Sequence, residues 1–338
     1  MTIAMLVFTK RFVLSLTARL FDSLGWLAPT ITRAKILFQS TWLQGVDWDT
    51  PLDEASTRLW QEFQADFQRL EKIRIPRFVP LKEMDAALEL HGFADASERA
   101  YAAVVYARTN IGKERAEIKL VAANTKVAPI KPVTFPRLEL CAATLLIRLA
   151  AHVRQTFNEE DIPLHLWSDS TVALGWIPGH PSRWKTFVAN RVAEIQTTLP
   201  EAKWHHLPGS SNPADCASRG VSPGELVSHP LWWQGPPWLR EDKASWMPSL
   251  AEALDDLPEE RARAHAVAVQ QHRLTEPDEL TRFSSWIRLL RVTAWCRQWL
   301  QRSSEISYGN KGPAGCSRLS HGIRVRRCPP YLDQKSAS

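Results

Sequence analysis

Four carboxylates are spaced so that folding can gather them. They are Asp95 in Phe93-Ala-Asp-Ala-Ser97, Glu139 in Pro136-Arg-Leu-Glu-Leu140, Asp169 in Leu166-Trp-Ser-Asp-Ser170 and Asp215 in Asn212-Pro-Ala-Asp-Cys-Ala-Ser-Arg219. Taken singly, each is the solvated surface acid that most carboxylates are. Brought to one rim they repel one another unless cations lie between them, and two Mg2+ ions about 4 Å apart, or Mn2+ in their place, would satisfy them. Such a pair activates water near neutral pH and stabilises the oxygen that departs from a phosphodiester, so no protein nucleophile is needed.

The elements around these residues supply such a rim. Leu88 and Leu90 alternate with polar Glu89 and His91 as a half-buried strand does, and Tyr101 to Tyr106 and Ile118 to Ala123 read as two more β-rich runs around the turn-prone stretch Thr109 to Arg115. Pro136 opens a strong helix with Leu138, Cys141, Leu145, Leu149 and Val153 on one face and no breaker before Asn158. Leu164 to Trp167 suits a buried parallel strand, and Ser168 to Ser170 ends it with capping residues for the next helix. Trp184, Phe187, Val188, Val192 and Ile195 recur at helical spacing, and a strand over Lys203 to Leu207 follows. The order is three strands, a helix, a strand, one or two helices, a strand and a helix: an α/β layout in which an antiparallel meander leads into parallel crossovers. In open α/β sheets strand ends and adjoining helix starts share one rim.

Before this unit, Phe12, Leu16, Leu20, Leu24, Ile36 and Leu43 give a small helical module, broken at Pro29 and extended by Trp48, Trp60 and Phe63 toward Pro76. After Gly220 the chain is rich in Pro and Trp through His229 to Trp246, as a linker docked by aromatic side chains is, and a helical pattern runs from Phe283 to Leu300. The divisions expected are a helical module over 1–86, an α/β domain over 87–221, a linker over 222–280, a helix over 281–302 and a disordered basic tail over 303–338.

The four acidic phrases, in this order on these elements, resemble the ribonuclease H domains of Bel/Pao-type LTR retrotransposons. The flanks extend the resemblance: Ala18 to Pro29 with Arg33 to Leu37 is similar to the connection that follows the reverse transcriptase polymerase in those elements, and Pro230 to Pro236 and Ser284 to Trp295 are similar to the region before their integrase. The resemblance spans roughly residues 10 to 300. It implies a ribonuclease H-like five-stranded mixed sheet with flanking helices. It also implies Mg2+-dependent cleavage of the RNA strand of an RNA/DNA hybrid, leaving 5′-phosphate and 3′-hydroxyl ends. Asp95, Glu139 and Asp169 would then hold the metals, and Asp215 would complete the second site. As partners it implies the polymerase core and integrase regions of a parent polyprotein, in a cytoplasmic virus-like particle or the nucleus.

Substrate contacts are expected from Ser97 and Ser170, which lie just after the acidic positions and can reach the substrate backbone or a ribose 2′-hydroxyl, and from Arg183 and Lys185 on phosphates. Ser170 serves equally as a helix cap, and a basic helix face is as often merely solvated. Cellular ribonucleases H often insert a basic helix where only Ile177-Pro-Gly-His-Pro-Ser-Arg183 stands here, and many carry a His on the loop that in this chain reads Pro208-Gly-Ser-Ser-Asn212. His205 and His206 lie just upstream of that loop. Trp167, Trp176 and Trp184 could stack on bases, although tryptophans at such spacing more often fill a core.

Composition narrows the alternatives. From Tyr308 onward six basic residues face one acid, so the tail carries +5 of the formal +6, and net charge says little about the folded part. Five scattered cysteines without a C-x-x-C pair indicate neither a disulfide framework nor a zinc knuckle. No secretory signal and no membrane-length apolar run is evident. The family is often labelled a peptidase after a protease encoded elsewhere in such polyproteins. No Asp-Ser-Gly or Asp-Thr-Gly occurs here, nor Tyr-x-Asp-Asp, nor integrase zinc-finger spacing, so no protease, polymerase or integrase activity is expected. The competing expectation is a truncated, inactive retroelement remnant that at most binds nucleic acid.

Overall fold

The computed structural model describes residues 7–75, 87–110, 116–158, 161–241, 243, 246, 257–261 and 286–308. The chain divides into two units, Met1–Arg263 and Ala264–Ser338.

The first unit is built on a five-stranded mixed sheet of order β3-β2-β1-β4-β5. Strands β1 (Ala87–Ala96), β2 (Ala100–Asn110) and β3 (Glu117–Val127) form the antiparallel meander, and β4 (Leu164–Ser168) and β5 (Lys203–His206) add in parallel. This is the α/β layout of meander and parallel crossovers that the order of strands and helices predicts, and the five-stranded mixed sheet that the resemblance implies. Helices α4 (Phe135–Phe157), α5 (Thr171–Trp176) and α6 (Thr186–Thr198) supply the crossovers. They bury Leu140, Leu146, Ile147, Trp176, Trp184 and Val192 together with Leu90, Val105 and Leu166 of the sheet. Proline in the first turn of α4 costs no hydrogen bond, because that N–H has no partner inside a helix. The helix ends at Asn158 in the left-handed region, φ 56°.

The opposite sheet face is covered by short helices α7 (Ala214–Arg219), α8 (Pro223–Val227) and α9 (Pro230–Gln234), with Trp232 and Leu239 fully buried against Phe93, Tyr106 and Trp167. The Pro/Trp-rich stretch is therefore docked wherever it is described. Trp232 donates its indole N–H to Trp26 O at 2.9 Å, and Tyr106 donates its hydroxyl to Trp232 O at 2.7 Å.

The N-terminal helices α1 (Lys10–Ala18), α2 (Ala28–Leu43) and α3 (Glu54–Ala65) share a satellite core of Val13, Ala34, Trp60 and Phe63. Pro29 begins α2 and does not break a helix, contrary to expectation. The break falls earlier, across Arg19–Leu27, where the Asp22 carboxylate accepts from the Trp26 and Leu27 amides. Gly25 at φ +75° passes so close to β3 that a Cβ there would meet the Ala123 carbonyl, and this approach lets Trp26 donate to Val121 O at 3.0 Å.

In the second unit α10 (Trp286–Tyr308) is described by itself. It runs six residues beyond the expected end at 302, since no Gly or Pro intervenes before Gly309. The remainder of the expected disordered tail, most of the linker and the turn at 111–115 lie outside the described residues. Among the described residues no helix is long and apolar enough to cross a membrane.

Candidate active site

Register places the acidic residues. In the parallel pairing of β1 with β4, Ala94 stands opposite Ser168, so the residues that follow, Asp95 still within β1 and Asp169 just past the end of β4, lie side by side. Glu139 reaches the same rim from the first turns of α4, which packs across β1 and β2. Asp95, Glu139 and Asp169 each offer a carboxylate oxygen, and these oxygens lie within 4.8 Å of one another. Asp95 and Glu139 are both 3% exposed.

Three acids this close, two of them buried and the third half-buried, resist ionisation. Burial, then the neighbouring charges of Asp95 and Asp169, push Glu139 up to about 9. Burial likewise pushes Asp95 up to about 7 against the lowering effect of the Ser218 hydroxyl, with Asp169 and Asp215 adding to the rise. Asp169 is raised by burial, an effect that its hydrogen bonds moderate. Glu139 Oε2 is buried with no hydrogen-bond partner. An orphaned carboxylate oxygen facing two further carboxylates is what a divalent cation with hard-oxygen preference would fill, so the donor set fits one.

Asp215 opens α7 nearby. It contributes to the fields on Asp95, Glu139 and Asp169 but stands outside the tight trio, paired with Arg219 at 2.5 Å. Two residues that sequence reasoning missed brace the trio. Ser218 is fully buried and donates its hydroxyl to Asp95, while Asn212, also fully buried, donates to Ala94 O at 2.9 Å and faces Asp169 Oδ1 at 3.5 Å. Both lie three residues from Asp215, one on each side, and that spacing was the available signal.

The other expected site residues divide. The Ser97 hydroxyl donates to Ser218 O at 2.8 Å and accepts from the Arg99 and Ala100 amides, so it is consumed in closing the β1–β2 turn. Ser170 caps α5 by accepting from Ala173 N, which leaves its own hydrogen uncommitted. Lys185 is exposed at the start of α6, and Arg183 is paired with Glu260. Trp167, Trp176 and Trp184 are core residues, at most 1% exposed. Of the two histidines, His206 acts on Asp169, lowering its pKa, whereas His205 stacks on Trp167 with centroids 4.5 Å apart. A Cβ at Gly209 would come within 2.9 Å of Asp169 Oδ2, so the 208–212 loop runs directly past that carboxylate.

Residues 9–170 match the family described as Pao retrotransposon-like RNaseH-like domain. That span contains Asp95, Glu139 and Asp169 and ends before Asp215. No curated protein matches the chain. Among solved structures, the chain is similar to RNase H1 of the halophilic archaeon Halobacterium salinarum, with 16% identity over 38% of this chain and 89% of that one and a TM-score of 0.25. It is similar to LC11-RNase H1, solved in complex with an RNA/DNA hybrid, with 13% identity over 37% and 88% of the two chains and a TM-score of 0.27. It is also similar to the foamy viral protease-reverse transcriptase in complex with RNA/DNA hybrid, with 10% identity over 40% of this chain but 20% of that one and a TM-score of 0.26. Over residues 9–170 the family match supports a Pao-type retrotransposon ribonuclease H region.

Proposed function

We propose that the chain is a ribonuclease H-type endonuclease that cleaves the RNA strand of RNA/DNA hybrids with two bound Mg2+ ions, Mn2+ serving in their place. The observation that carries this reading is the convergence of carboxylate oxygens of Asp95, Glu139 and Asp169 within 4.8 Å, with Asp95 and Glu139 buried and Asp169 partly so. The substrate class rests on the family that residues 9–170 match.

Asp95, Glu139 and Asp169 would hold the ions, with Asp215 completing the second site from the start of α7. Divalent ions bound there supply Lewis acidity toward an attacking water and toward the departing 3′ oxygen. The chain's own part is preorganisation. Ser218 fixes the Asp95 carboxylate, Asn212 ties Asp169 to β1, and burial keeps bulk water from competing for the oxygens. His206, beside Asp169, is placed to exchange a proton with the leaving product. Ser170, Arg183 and Lys185 supply hydroxyl and cationic contacts to the backbone, and Ser97 contributes through the turn it closes.

In this reading the helices before residue 87 serve as the connection to a polymerase core, and the segment after residue 221 leads toward an integrase region. Both belong to a parent polyprotein acting in a virus-like particle or the nucleus. The test is cleavage of a labelled hybrid. The full chain with Mg2+ should cut RNA only where it is paired with DNA, and Asp169→Asn, which removes charge at constant size, should lose activity by roughly a thousandfold or more. Undiminished cleavage by Asp169→Asn would sink the assignment.

A further inference from the structure

Residues Leu257–Arg261, distant in sequence from the α/β elements, lie across the surface formed by the start of α4, the end of α5 and the start of α6. Leu257 is buried in the main core and packs over Gly175. Pro258 O accepts from the Trp176 indole at 2.9 Å. Backbone bonds run from Lys185 N to Glu259 O at 2.8 Å and from Arg261 N to Arg183 O at 2.9 Å, a short antiparallel pairing of Glu260 with Trp184. Glu259 then takes the Arg137 guanidinium at 2.8–2.9 Å, and Glu260 takes that of Arg183 at 2.9 Å.

Arg137 is two residues from Glu139, and Arg183 and Lys185 flank Trp184 at the entry to α6. These are cations of the kind that grip phosphates, and here two neighbouring carboxylates hold the two arginines. Consecutive side chains on an extended strand point to opposite faces. Glu259 sits instead at φ +69°, a conformation that non-glycine residues rarely adopt, and each of the two carboxylates meets an arginine, Arg137 on α4 and Arg183 before α6. Glu259 Oε2 is moreover buried with no partner, so the docked carboxylate is incompletely satisfied.

We propose that Leu257–Arg261 is an acidic strap that covers part of the nucleic-acid surface in the free chain, with Glu259 and Glu260 standing where backbone phosphates go, and that a bound hybrid displaces it. This rests on the ribonuclease reading. Leu257 is the anchor, and the two glutamates are the competing part.

The strap is tested by hybrid binding to the full chain in the inactive Asp169→Asn background. Adding Glu259→Gln and Glu260→Gln should tighten binding about fivefold or more, as expected when the competent fraction is released. Adding Glu54→Gln and Glu62→Gln on α3, which changes net charge equally, should tighten it far less. Equal effects of the two pairs, or none from the first, would overturn the strap. A readout independent of charge is amide exchange at Lys185 and Arg261, which should quicken when hybrid is added to Asp169→Asn; unchanged or slower exchange overturns the proposal. Cleavage by the wild-type chain separates the two levels: if cleavage persists while these tests fail, only the strap is wrong, and if there is neither cleavage nor binding, both readings fall.

Discussion

Two buried glutamates mark the regions at either end of β1, and their surroundings are opposite. Glu89, 5% exposed, touches Arg108 at 3.1 Å, His91 at 3.5 Å and Lys243. Burial works to raise its pKa, but the close approach of His91 and the Lys243 ammonium overcome this and hold it at about 2. Glu139, 3% exposed, has acids for neighbours and is pushed to about 9. Residue type and depth are shared, one on β1 and the other on α4, and the charges around them set their ionisation in opposite directions.

The largest expected effects come from exchanging those roles. Glu89→Gln leaves Arg108 buried beside no anion and should cost roughly 3 kcal/mol, on the order of 10 °C in Tm, while hybrid cleavage per folded molecule stays near wild type. Glu139→Gln should do the reverse. It should abolish cleavage and raise metal-free stability at pH 8 by roughly 1–3 kcal/mol, because a carboxyl whose folded pKa is raised destabilises the fold above its unfolded value. Urea melts with a cleavage assay check both. Equal loss of stability in the two variants would break the distinction.

The strands that carry Glu89 and Asp169 give a smaller effect, read through pH. Burial holds His91 down at about 4, and burial with the charges of His91 and His205 holds His165 at about 3. His205 is lowered as well, by burial and then Lys203. Unfolded imidazoles take protons near pH 6.5 while the folded ones refuse them. The stability they confer is therefore complete above pH 6.5 and drains as pH falls toward 4 and 3, by up to about 1.4 kcal/mol per pH unit for each histidine. Denaturant midpoints across pH 7 to 4 should fall steeply, and a flat profile would remove the imidazole cluster from the account.

Much of the active rim was legible because it is local. Alternation over Leu88–His91 marks the strand that carries Asp95, Pro136 starts the helix that carries Glu139, and capping residues end β4 just before Asp169, so each acid's element could be read from its own neighbours. Pro29 misled because a proline inside an apolar pattern reads equally as a break or as a first turn, and the cap that decides comes from Asp22. Ser218 bracing Asp95 and Glu259 holding Arg137 are contacts across more than a hundred residues, and no periodicity records them. His205 and His206 could not be separated until pairing with β4 fixed the register that puts one against Trp167 and the other beside Asp169.

In the proposed cation site Glu139, pushed up to about 9, keeps its proton at pH 7 and must release it when metal binds. Calorimetric titration of the metal-free chain with Mn2+ at pH 7, repeated in buffers of different ionisation enthalpy, measures both binding and the protons released. Wild-type chain should bind Mn2+ and release about one proton or more, while Glu139→Gln binds far more weakly and releases fewer. Mn2+ binding of equal strength in Glu139→Gln, or no binding by the wild type, would contradict it.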